Sequence, residues 1–189
     1  MEFFNYSVNQ MDTYIGLFRG VNVSGQKKMS MAKLREALSK IGLKNVQTYI
    51  QSGNIIFQFL KENNNIIALK IQKTIESHFG LEVPVLVFTP KDLKRIFDEC
   101  PFKKDKKESS YFTLLYEKPN KDLVLEISNI SYPNEDFFIT PSCVYFCCSK
   151  GYGKAKCNNI FFEKKLKVIA TTRNYKTIRK LLSLTSQLD

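Results

Sequence analysis

Two periods of apolar spacing alternate along this chain, and together they lay out its elements. Residues 14–18 form an apolar run of strand length that stops at a polar, glycine-containing loop. Met31, Leu34, Leu38 and Ile41 then recur at helical spacing, with Ser30 as N-cap and Gly42 beyond the end. Residues 46–51 and 55–59 predict two strands joined by a hairpin turn at Ser52-Gly53-Asn54. A second helix opens at Asn63 to Asn65, buries Ile67, Ile71 and Ile75, and stops at Gly80, and residues 83–88 predict a fourth strand. Thr89, Pro90 and Asp92 supply the cap, first-turn proline and first-turn acid of a further short helix.

That order is β-α-β-β-α-β, the split unit of ferredoxin-like folds. A charged, apolar-poor break follows, and the order then repeats: strand 111–116, helix 121–127, strands 137–139 and 144–148, helix 158–166 and a short strand 167–170. Tyr175, Ile178, Leu181 and Leu182 mark the apolar side of a terminal helix. The expected fold class is α+β, with two ferredoxin-like halves packed together and a C-terminal helix. Its expected divisions are a flexible extension over 1–11, with Met11 as an alternative start, a first half over 12–102, a charged linker over 103–110 and a second half over 111–189.

Length and composition agree with a folded protein: 189 residues, 43% hydrophobic and 13% aromatic, are enough for a real core. Charge narrows the partners. Twenty-nine Lys and Arg against 18 Asp and Glu leave +11, which favours nucleic acid, phosphorylated ligands or anionic surfaces, though the same surplus also serves solubility. No apolar run approaches the roughly 20 residues of a bilayer span, and the first ten residues lack the pattern of a secretory signal. No membrane partner is expected, and the expected location is cytoplasmic.

The five cysteines fit a reducing compartment, being odd in number and without a C-x-x-C pair. Strand alternation places Cys147 and Cys148 on opposite faces, so they do not converge on one metal and read as small packing residues. His78 is the only histidine and lies in a helical pattern, which argues against a histidine metal site or a Ser-His-Asp triad. No metal or cofactor is expected.

Chemistry concentrates in the loop Arg19-Gly20-Val21-Asn22-Val23-Ser24-Gly25 after the first strand. Two glycines and Asn22 tolerate positive φ, and Arg19, Lys27 and Lys28 surround the loop with positive charge, a composition that attracts anions. A right-handed crossover makes the first two strands of a split unit parallel, so this loop and Ser52 to Asn54 belong at one end of the sheet. Thr171-Thr172-Arg173-Asn174, read as the head of the last helix, offers amides, hydroxyls and a guanidinium again. The candidate ligand-binding residues are Arg19, Asn22, Gly25, Lys28, Gln51, Ser52, Gly53, Asn54, Thr172, Arg173 and Asn174. Arg19 and Arg173 would hold an anionic group bidentately, and Asn22 and Asn54 would orient it. Whether Arg173 joins the Arg19 loop does not follow from spacing. The catalytic residues are unknown: Ser52 and Thr172 carry hydroxyls, but no base stands in the sequence to activate either.

Arg19 to Gly25, then Met31, Leu34 and Leu38, then Tyr49-Ile50-Gln51-Ser52-Gly53-Asn54, and finally Ala170-Thr171-Thr172-Arg173-Asn174 resemble the bacterial domain-of-unknown-function family 1697. The resemblance extends over nearly all of residues 12–184, with the motifs RGxNVxG, YxQSGN and TTRN in fixed order. It implies a cytosolic bacterial α+β protein of related fold and no activity to carry over. Ser24 stands where the family often has glycine.

Competing motifs fall away on particular residues. Residues 20–27 nearly match a Walker A loop, but Gln26 takes the place of the phosphate lysine and Lys27 that of the Mg²⁺-binding hydroxyl. Gly151-Tyr152-Gly153 lacks the third glycine of a dinucleotide fingerprint and reads as a turn. An RNA-recognition reading has the fold, the charge and a first strand of the right kind, but Asn54 and Ile56 occupy positions of base-stacking aromatics and only Phe59 is in place. No carboxylate pair is spaced for glycoside chemistry. The leading expectation is therefore a small anionic ligand, a nucleotide or phosphometabolite. Weak, salt-sensitive binding of single-stranded nucleic acid by a basic surface is the alternative, and a structural or interaction protein without ligand is the third. The oligomeric state is open.

Overall fold

The computed structural model describes residues 10–23, 25 and 27–188. Residues 1–9 of the expected extension lie outside them, as do Ser24 and Gln26, and Met11 opens the first strand. The chain divides into two compact units, one running to Pro90 and taking back the last residues from Leu184, the other being Lys91–Ser183.

In the first unit, β1 (Met11–Phe18), α1 (Met31–Lys40), β2 (Lys44–Thr48), β3 (Asn54–Leu60), α2 (Asn64–Phe79) and β4 (Val85–Phe88) form an antiparallel sheet in the order β2-β3-β1-β4. This is the ferredoxin-like arrangement expected from the order of elements. Ser30 accepts a hydrogen bond from the Lys33 amide to start α1, Asn63 caps α2 through the Asn65 amide, and Gly80 ends α2 in the left-handed region. Tyr14, Phe18, Ile55 and Phe57 on the sheet meet Leu34 and Leu38 of α1 and Ile67, Ile71 and Ile75 of α2 in one core. Complete burial of side chains of this size stabilises by about 1.5–3 kcal/mol each. Gly16 faces Ile55 across the β1–β3 ladder, and a Cβ there would lie 2.7 Å from the Ile55 side chain. Only glycine leaves that isoleucine room.

The second unit repeats the topology with β5 (Tyr111–Leu115), α5 (Lys121–Ser128), β6 (Glu135–Ile139), β7 (Cys143–Cys148), α6 (Asn159–Leu166) and β8 (Ala170–Asn174), in the order β6-β7-β5-β8. Both faces of β7 are buried. Val144, Phe146 and Cys148 pack with Phe162 and Leu166 of α6, while the opposite-facing Tyr145 donates to Ile96 O at 2.8 Å in α3 (Pro90–Asp98). Burial raises the Tyr145 phenol well above its ordinary range. All five cysteines are buried and free, and burial pushes the Cys157 thiol up to about 12.

The charged stretch gains one element, and one local expectation, the last strand, is corrected. Part of the charged stretch 103–110 is helical, α4 (Lys104–Glu108), where Lys106 and Lys107 lie over the Phe102 and Phe97 rings at 5.0 and 4.5 Å. The last strand is 170–174, not 167–170: Lys167 ends α6 at φ 55°, and Ala170 to Asn174 pair with Leu115 to Tyr111. The terminal helix α7 (Tyr175–Thr185) follows directly.

Candidate functional site

The loop after β1 and the turn after β2 meet as the topology requires. Asn22, at φ 53°, accepts from the Met29 amide at 2.8 Å and donates to Met29 O at 2.9 Å and to Gln51 O at 2.8 Å. One asparagine therefore closes its own loop and ties it to the turn. Val21 and Met29 anchor that loop in the core, and Lys27 donates to Glu82 O. Phe18 N donates to Gly53 O at 2.8 Å from the other side. Gly53 has φ 72°, and a Cβ would lie 2.7 Å from Phe18 Cβ, so both conformation and space demand glycine.

Each sequence-predicted residue now has a place. Asn54 is fully buried at the start of β3, and its amide donates to Tyr49 O at 3.0 Å and to Ser52 Oγ at 3.3 Å. Asn22 and Asn54 thus hold the protein's own backbone. Gly25, Lys28 and Gln51 are exposed, and Arg19, whose amide donates to Pro84 O, is half-buried. Thr172, Arg173 and Asn174 belong to the second unit, whereas Arg19 belongs to the first.

The amides expected to be free in the 171–174 stretch are instead part of a strand, because the β5 ladder takes that backbone up. Thr172 Oγ1 bonds Thr113 Oγ1 at 2.8 Å and Asn159 Oδ1 at 2.9 Å, and Asn174 Oδ1 caps α7 by accepting from Thr177 N at 2.8 Å. Arg173 is buried and donates to Thr171 Oγ1 and Thr172 O, both at 2.9 Å. Desolvation lowers its guanidinium to about 10, against an opposing influence from Tyr116.

Beside the Asn22 tie lies a cleft of about 430 Å³ lined by Ser30, Met31, Ala32, Arg35, Thr48, Ile50 and Gln51. Arg35, one turn along α1 from Met31, donates to Thr48 Oγ1 at 2.7 Å, which commits one of its five N–H donors. The Met31 and Ala32 amides, in the first turn of α1, have no intrahelical acceptor. Ile50 forms the rim, half exposed and held at φ 51°, a conformation that β-branched residues rarely adopt. Sequence reasoning missed Arg35. Its i+4 spacing from Met31, on the face that meets β2, was the available signal.

The sheet of the first unit offers no base-stacking face among the described residues. Ile15, Leu17 and Ile56 are fully buried, and Phe59 sits in the helix-covered core. No helix among the described residues is long and apolar enough to cross a membrane.

The family described as "Protein of unknown function (DUF1697)" matches residues 11–145. A solved structure of the conserved bacterial protein SP0830 from Streptococcus pneumoniae is similar, with a TM-score of 0.72 at 21% identity, covering 93% of this chain and 99% of that one. At this identity the likeness shows the fold alone. No curated protein matches the chain.

Proposed function

The chain belongs to the DUF1697 family of proteins of unknown function, and from that premise we propose that it binds a small anionic ligand, bearing phosphate or carboxylate, in the cleft of the first unit. One observation carries this reading: Arg35, the first-turn residues Met31 and Ala32 of α1, and Gln51 line a single space of about 430 Å³. Helix N-terminal amides carry partial positive charge, and a guanidinium matches the planar oxygens of phosphate and carboxylate. Strain at Ile50 supports it further, since residues held in sparsely populated backbone regions concentrate at ligand clamps. Asn22, Ser52, Gly53 and Asn54 serve by holding the turn that forms one wall.

Among the described residues the cleft lining includes no carboxylate, histidine, cysteine, lysine or tyrosine, which supports binding rather than acid–base chemistry. A nucleotide or phosphorylated metabolite fits the volume and charge. A cytoplasmic location fits five buried, unpaired thiols.

Thermal denaturation with inorganic phosphate, small carboxylates and nucleotides tests the reading. A ligand at 100 times its dissociation constant stabilises by about 2.7 kcal/mol. The shift is expected in wild type, is lost in Arg35→Ala, and persists in Arg173→Lys. A panel in which no anion moves the midpoint would overturn it, and loss of the shift in Arg19→Ala but not in Arg35→Ala would move the ligand onto the Arg19 loop.

A further inference from the structure

The second unit holds 19 of the chain's basic residues against 11 acidic ones, a net +8 out of +11. Part of that surplus is concentrated on one connection. Between β7 and α6 the chain runs Ser149-Lys150-Gly151-Tyr152-Gly153-Lys154-Ala155-Lys156-Cys157-Asn158, with three exposed lysines and no acidic residue. Among the described residues none of the three makes an ion pair. Lys156 lies over the Tyr132 ring at 5.1 Å.

The connection is well held for one so polar. Tyr152 turns inward, with its ring 4.6 Å from Tyr111 and 6.3 Å from Phe146, and its hydroxyl accepts from Asn159 N at 3.0 Å. Glu135 accepts from the amides of Lys156 at 2.8 Å and Cys157 at 2.9 Å, so this carboxylate beside the loop is engaged with its backbone. A single 3₁₀ turn, Tyr152–Lys154, closes the tip. Nothing lies within 4 Å of a Cβ placed on Gly151 or Gly153, so the space over the tip is open.

We propose that this β7–α6 loop is a docking surface for the phosphate backbone of nucleic acid. The lysines supply point charges, the glycines allow close approach, and the anchored backbone keeps the charges in place without ordering on contact. A bilayer is a poorer fit, because the tip carries glycine and lysine with its aromatic ring turned inward, leaving no apolar side chain to insert. This surface shares no residue with the cleft of the first unit, and the two readings can fail independently.

The experiment is fluorescence anisotropy of the full chain with a labelled oligouridylate across a salt series, beside duplex RNA and anionic phosphatidylserine vesicles. For single strands, log affinity falls with log salt by about 0.7 per phosphate contact. Lys150→Gln/Lys154→Gln/Lys156→Gln is expected to flatten the slope by about 2 and weaken low-salt binding at least about tenfold. Lys164→Gln/Lys165→Gln/Lys167→Gln, the same charge change at the other end of α6, should leave most of the slope intact. In wild type, the Gly151 and Gly153 amide signals in NMR should move on adding the oligonucleotide, a readout independent of any variant. Equal losses in the two triples would reduce the effect to net charge and overturn the proposal. Absent salt-dependent binding, unmoved glycine signals, or a preference for vesicles over RNA would each do the same.

Discussion

The two units share one topology and place their loops at opposite ends of it. In the first unit, 12 residues separate β1 from α1, and only 3 separate β3 from α2. In the second, 5 residues separate β5 from α5, and 10 separate β7 from α6. Because the first and third strands of each unit are antiparallel, these long connections leave opposite ends of their respective sheets. The first unit ties its long loop by one asparagine to the β2–β3 turn, whose Ile50 and Gln51 line the cleft beside α1. The second unit uses its loop to present lysines, tied down by a tyrosine and a glutamate. The scaffold sets where loops can emerge, and loop length and residue type set what each end can do.

The largest test of this contrast sets one glycine against another. Gly53→Val adds a β-branched side chain at φ 72° against Phe18, and backbone strain plus overpacking should destabilise by about 3–5 kcal/mol. Gly151→Ala, at φ 83° and ψ 149° with open space around it, should cost about 1–3 kcal/mol, from backbone strain alone. Urea denaturation of both variants checks the difference, and similar losses would mean that the β2–β3 turn is no more constrained than the β7–α6 tip.

Next come the two ties. Asn22→Ala removes three hydrogen bonds, strands the Met29 amide and leaves alanine at positive φ, for an expected loss of about 2–3 kcal/mol. Tyr152→Phe removes one hydrogen bond while keeping the tilted ring contact with Tyr111, for about 1 kcal/mol. Hydrogen exchange should localise the first effect to residues 19–30 and the second to 149–158.

Strain gives a smaller effect of opposite sign. Ile50→Asn replaces a β-branched residue by one that tolerates the left-handed region, and Ile50 is half exposed, so stability should rise by up to about 1 kcal/mol. If the strain serves the cleft, the same variant loses anion affinity as it gains stability. A gain in both would separate Ile50 from the site.

The smallest effect is the pH response of the second loop. Burial acts to raise the Glu135 carboxyl, but the amides of Cys157 and Lys156 outweigh it, and the group lies below its ordinary 4.5. Its contribution is therefore present above that value and lost as pH falls through the lower folded value. NMR signals of residues 149–158 should begin to loosen below about pH 4.5, and Glu135→Gln should remove that dependence.

Helix caps and turn residues made much of the fold legible before any coordinates. Ser30, Asn63, Gly80, Asn158 and the apolar stripes of α1 and α2 act locally, so they could be read one segment at a time. The 170–174 strand could not. Thr171, Thr172 and Asn174 resemble cap residues, and what makes them a strand is pairing with β5, about 60 residues earlier. The meeting of the Asn22 loop with the Ser52 turn was readable as topology, but the destination of each hydrogen bond was not.

What this sequence determined by itself is the doubled β-α-β-β-α-β order, the surplus of positive charge and the glycine–asparagine loops where backbone can turn. Only the tertiary structure decided that Asn22 and Asn54 hold backbone, that Arg35, outside every motif, lines the cleft together with Gln51, and that Arg173 is buried in a strand. The reason is range: caps, turns and periodicity are set within a few residues, whereas the partner of a polar side chain depends on segments that pairing and crossover bring together from tens of residues away.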